Sequence, residues 1–108
     1  MAIGNAPVLE ELIDINAASL ARTELDPRTL LLVRLAALAA VDAPVSSYLM
    51  HVGPSANAGI TAADAEDVLV AVAPIVGTPH TAAAAAKIVK ALGLAIELAQ
   101  EDADSARP

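Results

Sequence analysis

Apolar residues recur along this chain at helical spacing, and no stretch outside the Ala-rich runs alternates with period two over six residues. Leu9, Leu12, Ile13, Ala17 and Leu20 make a first stripe, on a helix that starts near Pro7 and ends around Arg22. Glu10, Glu11 and Asp14 lie toward its positive end. Asp26-Pro27 opens a second helix, with Asp as N-cap and Pro at the first position, where a missing N–H costs nothing. This helix runs to about Val41. Its second half is apolar on every side apart from Arg34, a pattern that predicts burial all round.

A third helix covers about Val45 to Ala58. Pro54 inside it is expected to kink or interrupt it, and Gly59 is a left-handed stop. Thr61 caps a fourth helix, with Asp64 three residues on and Glu66 and Asp67 in its early turns. Ala65, Val68, Leu69, Val72 and Val76 form its core face. Pro74 bends its last turn and Gly77 ends it. Thr78-Pro79 opens the last helix by the same cap-then-proline logic, and it runs to about Gln100, roughly 33 Å. Gly93 within it predicts close helix packing, because Gly there costs about 1 kcal/mol relative to Ala. The prediction is an all-α single domain of about five helices over residues 1–100, with a flexible tail over 101–108.

Composition changes this picture in one respect. Of the 108 residues, 56% are hydrophobic, against roughly 45–50% in ordinary soluble domains. Ala supplies 27 of them and is nearly neutral on a surface. The remaining Leu, Val and Ile are still more than so short a chain can hide, so a homo-oligomer is expected. A membrane is not: a spanning helix needs ~20 apolar residues, and the longest run, Leu30 to Val41, is interrupted by Arg34. Residues 1–5 carry no basic region followed by an apolar one, so the expected location is cytoplasmic. The net charge of −7 and the lack of a basic stripe argue against nucleic acid. A single aromatic residue, Tyr48, offers no stacking platform for single strands.

Chemistry concentrates in Pro44-Val45-Ser46-Ser47-Tyr48-Leu49-Met50-His51, with Gly59 eight residues past the histidine. Around it stand Leu25-Asp26-Pro27-Arg28, then Thr61-Ala62-Ala63-Asp64-Ala65-Glu66-Asp67-Val68, then Gly77-Thr78-Pro79 leading into an Ala-rich helix. This ordered set, from about Leu25 to Leu92, resembles the carboxymuconolactone decarboxylase and alkylhydroperoxidase-D-type families. The resemblance implies an all-helical subunit that assembles into a dimer, trimer or hexamer, with the family histidine at His51. In the peroxidase branch two cysteines precede that histidine by seven and four positions. Here those positions hold Pro44 and Ser47, and the chain has no cysteine. Proline has no nucleophile, and a Ser hydroxyl cannot cycle like a thiolate, so thiol peroxidase activity is not expected. The decarboxylase branch usually has a Glu near the position of Ser47, and it is absent too.

Two functions remain. One is a lyase-type enzyme in which His51 moves a proton during decarboxylation or isomerisation of a small organic acid or lactone. Ser47 and Tyr48 would then orient the substrate, and Arg34 or His80 would hold its carboxylate. The other is a non-catalytic oligomeric protein, structural or ligand-binding, on the same fold. Ser47 and His51 share a helical face and also read as a nucleophile and base, but no acid orients the His and no Gly-x-Ser-x-Gly elbow is present. His51 reads also as a structural histidine, hydrogen-bonded to a carbonyl or to a partner chain, Arg34 as a snorkelled or ion-paired surface residue, His80 as a surface residue, and Tyr48 as an interface residue. His51, His80 and a carboxylate such as Asp42 make a poor metal set, so no metal and no cofactor are expected.

Overall fold

The computed structural model describes residues 6–105, and among them the only regular elements are five helices. They are α1 (Ala6–Arg22), α2 (Pro27–Ala40), α3 (Val45–Asn57), α4 (Ala62–Val76) and α5 (Thr78–Ser105). Their starts follow from local chemistry. Asp26 Oδ1 accepts from the Thr29 N–H at 2.7 Å, with Pro27 behind it in the first turn. Thr61 and Asp64 form a reciprocal capping box: Asp64 N–H donates to Thr61 Oγ1 at 3.1 Å, and Thr61 N–H donates to Asp64 Oδ2 at 2.9 Å. Helix ends follow too. Gly59 lies just past α3 with φ +77°, and Gly77 closes α4 with φ +93°, conformations that suit a residue without a Cβ.

Some expectations are corrected. Pro54 lies inside α3 without ending it. Thr78 is already the first residue of α5, so Gly77 alone separates α4 from α5. α5 runs on through Glu101 to Ser105 as exposed helix, beyond the expected end near Gln100. The rest of the flexible tail expected there, residues 106–108, lies outside the described residues. A Cβ built on Gly93 would meet nothing within 4 Å, so no close packing inside the chain explains that glycine.

Four helices form the bundle, with α3 and α5 packed together and α2 and α4 completing it. The buried cluster is made of small side chains: Ala39, Ala43, Ala84 and Ala91, with Tyr48 and Leu69. Leu35, Leu38, Val45, Leu49, Val52 and Ile88 pack against it, half-buried. Ala84 and Ala91 are seven apart, two turns along one face of α5, which lets the neighbouring helices approach closely. Two polar clamps tie the connecting turns to the bundle. Arg28, at the start of α2, bonds the Gly59 carbonyl at 3.1 Å and pairs with Asp64 at 3.1 Å. Lys87 on α5 bonds Asp42 Oδ1 at 2.7 Å and the Ala43 carbonyl at 2.9 Å. Asp42 sits at φ +52°, a left-handed conformation that Asp tolerates better than most residues.

α1 does not behave as its pattern predicts. None of its residues is buried, and Leu9, Leu12, Ile13 and Leu20 remain about half or more exposed. It packs backbone-close against none of the other helices. The hydrogen bonds that tie it to the bundle come from Arg34, to Asn16 Oδ1 at 2.6 Å and to Ser19 Oγ at 3.1 Å. α2 is likewise not covered all round: Leu31 and Ala39 are buried, while Val33 is 52% exposed. The physical reason is arithmetic of surface: four short helices cannot cover a fifth and also each other.

Candidate functional site

His51 lies in the second turn of α3, half-buried, where α3 faces both the bundle interior and the gap beneath α1. Its Nδ1 is 2.7 Å from the Ser47 carbonyl oxygen. A carbonyl can only accept, so Nδ1 carries the proton, and Nε2 of the neutral ring is left with its lone pair. Ser47 therefore serves His51 through its main chain; its hydroxyl takes no part in the contact. The nucleophile–base pairing of the two side chains is not formed.

Two cavities meet at this histidine. The inner one, about 140 Å³, lies among α2, α3, the start of α4 and α5. Leu31, Leu35, Val52, Ile60, Ile88 and Leu92 give it aliphatic walls, and Tyr48, His51, Ser55 and Thr61 supply the polar side chains. The outer one, about 460 Å³, lies among α1, α2 and α3, with Asn16, Leu20, Arg34, Met50 and Asn57 in its wall. Leu31 and His51 belong to both. The turn that carries Ile60 and Thr61 is fixed by the capping box and by Arg28, so the floor of the inner cavity is held by charge-assisted bonds. The Arg28 guanidinium beside Asp64 holds that carboxyl down at about 2.

The other sequence candidates separate. Tyr48 is 4% exposed and lines the inner cavity, so it is a pocket wall, and its hydroxyl is buried with no hydrogen-bond partner among the described residues. Burial, with a smaller push from Asp42, raises its pKa above the ordinary phenol value. Arg34 lines the outer cavity and carries no ion pair among the described residues. His80 is exposed at the start of α5 and lines neither cavity; its charged neighbour is Asp42. Asp42 is held by Lys87, and among the described residues no three His, Asp or Glu side chains converge as metal ligands. Nothing in the sequence marks Leu31, which like His51 borders both cavities, or pairs Arg28 with Asp64, 36 positions away.

The carboxymuconolactone decarboxylase family model matches residues 6–91. The chain belongs to the carboxymuconolactone decarboxylase family. That match takes in α1, which the sequence resemblance, beginning near Leu25, had left out. No curated protein and no solved structure shows significant similarity to the chain. This member of the carboxymuconolactone decarboxylase family is built from helices over the described residues, and its sequence has no cysteine. No helix among the described residues is long and apolar enough to cross a membrane.

Proposed function

We propose that this carboxymuconolactone decarboxylase family member is a cytoplasmic lyase-type enzyme, in which His51 transfers a proton during decarboxylation or isomerisation of a small organic acid or lactone. The observation that carries the reading is the position of His51: it borders both cavities while its Nδ1 is tied to the Ser47 carbonyl. A general base needs a lone pair, a fixed ring and a site shielded from bulk water. The bond to Ser47 supplies the first two by setting the tautomer and the ring orientation. The aliphatic walls of the inner cavity make the setting apolar on the bundle side of the ring. Tyr48 would orient the substrate from the inner wall. Ser47 would act through its carbonyl, as a positioning group. The same proposal has the protein working as a homo-oligomer, supported by the exposed stripe on α1.

A second reading is a ligand-binding or structural protein that performs no reaction. The lack of both Cys and Glu around His51 supports it, since the neighbours that the family's chemistry uses are missing. One experiment separates the two. Small carboxylic acids and lactones are screened by thermal shift, since a ligand that binds the native state raises its apparent stability. Compounds that bind are then incubated with the wild type and with His51→Ala, and product is followed by mass spectrometry. Turnover by the wild type that His51→Ala abolishes supports the enzyme. Binding with no turnover supports the second reading, and turnover that survives in His51→Ala removes His51 from the mechanism.

A further inference from the structure

His51 and Ser55 stand four residues apart on α3, and both line the inner cavity, while Ser55 takes no part in the outer one. Residues at that spacing share a helical face, with Cβ atoms roughly 5–6 Å apart. The Ser47 carbonyl holds Nδ1 of His51, which leaves Nε2 as an acceptor. The Ser55 hydroxyl makes no hydrogen bond among the described residues. A hydroxyl on a helix often bonds the carbonyl one turn back, as Thr81 Oγ1 does to Gly77 at 2.8 Å, and Ser55 does not. Neither atom is sealed off: among the described residues the Tyr48 hydroxyl alone is both buried and without a partner. Tyr48 therefore gives the inner cavity its ring, and His51 and Ser55 give it accessible polar atoms.

Charge and size narrow what can meet these atoms. No Lys, Arg, Asp or Glu is among the residues lining the inner cavity. A carboxylate entering it would exchange water for aliphatic walls with no cation to meet it, at a large cost. The neutral His51 ring presents a lone pair there, which repels a carboxylate oxygen and accepts from a hydroxyl. The third hydroxyl of the lining, that of Thr61, is already engaged as the acceptor of the Asp64 N–H at 3.1 Å. The volume, about 140 Å³, is close to that of engineered apolar cavities that accept a benzene ring, about 150 Å³, so a ring of five or six atoms fits.

We infer that the inner cavity takes a compact, uncharged alcohol, whose hydroxyl donates to Nε2 of His51 and accepts from the hydroxyl of Ser55. One oxygen serves both bonds, because a hydroxyl is donor and acceptor at once. A ketone of the same size satisfies Ser55 and leaves Nε2 unused, and a carboxylate meets the lone pair of His51 with no donor but Ser55. Ser55 is therefore a ligand-positioning residue of this site, and the pair His51–Ser55 selects for the hydroxyl group. The inference deepens the proposed function, on which it rests for the siting at His51. Of a substrate bound there, the part inside the inner cavity is a hydroxyl-bearing hydrocarbon, and any carboxylate stays outside. Its test reads binding alone.

The test uses three probes on the full-length protein in its native assembly, titrated by calorimetry and by methyl NMR shifts. The pH is 8, above the range in which an imidazole ordinarily titrates. The probes are cyclopentanol, cyclopentanone and cyclopentanecarboxylate, which share a ring and differ in the polar group. Cyclopentanol is expected to bind several-fold more tightly than the ketone and at least about tenfold more tightly than the acid. Its shifts should appear at Ile88 and Leu92, which line the inner cavity, and not at Leu20 and Met50, which line the outer one. Ser55→Ala, a substitution that helix propensity favours, should weaken the alcohol and the ketone alike, by about threefold to tenfold. His51→Ala should abolish the preference for the alcohol over the ketone. The acid or the ketone binding as tightly as the alcohol, Ser55→Ala without effect, shifts confined to Leu20 and Met50, or no binding of any probe would overturn the inference. The expected binding pattern in a protein that turns over no acid or lactone would instead overturn the proposed reaction and leave the ligand class standing.

Discussion

The Nδ1 of His51 stands 2.7 Å from the main-chain oxygen of Ser47, one helical turn earlier on α3. The relationship converts a residue of uncertain tautomer into one with an assigned lone pair. The orienting atom belongs to the backbone, so the contact does not depend on the side chain at position 47.

The first prediction concerns that tautomer. The neutral ring of His51 should be protonated on Nδ1, with Nε2 free, and long-range proton–nitrogen NMR of labelled protein reports this directly. A population dominated by Nε2–H would contradict the geometry and with it the base proposed for the site. Ser47→Ala should leave the tautomer unchanged, since the carbonyl remains. A shift in that variant would mean that the hydroxyl matters after all.

Local signals were the legible part of this fold. Asp26-Pro27, the Thr61–Asp64 box, Gly59 and Gly77 each act within a few residues, and each stands where its pattern predicted. His51 could be singled out as a candidate because its setting resembles a family spacing. The stripe on α1 shows where that kind of reading stops. Periodicity identifies an apolar face and says nothing about what covers it, so Leu9, Leu12, Ile13 and Leu20 looked like core and are exposed in the chain. Arg28–Asp64 and Lys87–Asp42 were invisible for a related reason. Each joins positions far apart in sequence, and neither residue type nor spacing marks the partner. Arg34 was legible as a possible cation for a carboxylate; the neutrality of its neighbours was not.

Gly93 gives the second prediction. It lies in α5 with open space where a Cβ would project, and its φ is not in the left-handed region. Gly93→Ala should therefore stabilise the protein by up to about 1 kcal/mol through helix propensity alone. That corresponds to a rise in Tm of roughly 4–8 °C for a domain of this size, read by calorimetry at fixed protein concentration. A fall in Tm would mean that another copy of the chain packs against this glycine in the assembly.

Acid behaviour gives the third. The side-chain bond from Arg28 is the main cause, and the Thr61 N–H the next, of the fall in Asp64 pKa from 3.8 to about 2. A carboxyl with a depressed folded-state pKa binds its proton more weakly in the native state than in the unfolded one. Its stabilisation is therefore fully present above about 3.8 and is lost as pH falls toward 2. Asp64→Asn should flatten the decline of Tm over that window and lower Tm at neutral pH. The test is a series of thermal melts between neutral pH and pH 2. Identical pH profiles for the two proteins would show that the Arg28–Asp64 clamp does not contribute.

Thiol chemistry gives the fourth. With no cysteine in the chain, a hydroperoxide meets no sulfur nucleophile and no resolving thiol. Hydroperoxide consumption with a dithiol reductant should match the buffer blank, and it should remain so after His51→Ala. Activity that co-purifies through several columns and scales with protein would refute this.

Assembly gives the last. Val8, Leu9, Leu12, Ile13, Ile15 and Leu20 all stand about half or more exposed on α1, a helix that contributes nothing buried to its own chain. Isolated apolar residues on a surface are ordinary, but six on one 17-residue helix form a continuous apolar surface of the kind that marks an interaction site. A homo-oligomer would cover it and at the same time enclose the outer cavity, one wall of which is formed by Asn16 and Leu20 of the same helix. Sedimentation velocity at micromolar concentration is expected to show a dimer or larger. Placing a charge in the stripe, as in Leu12→Glu or Ile13→Glu, should shift the species toward monomer while circular dichroism keeps its helical signal, because those side chains support no core within the chain. A monomeric wild type would remove the proposal of a homo-oligomer, and charged variants that assemble normally would move the interface away from α1.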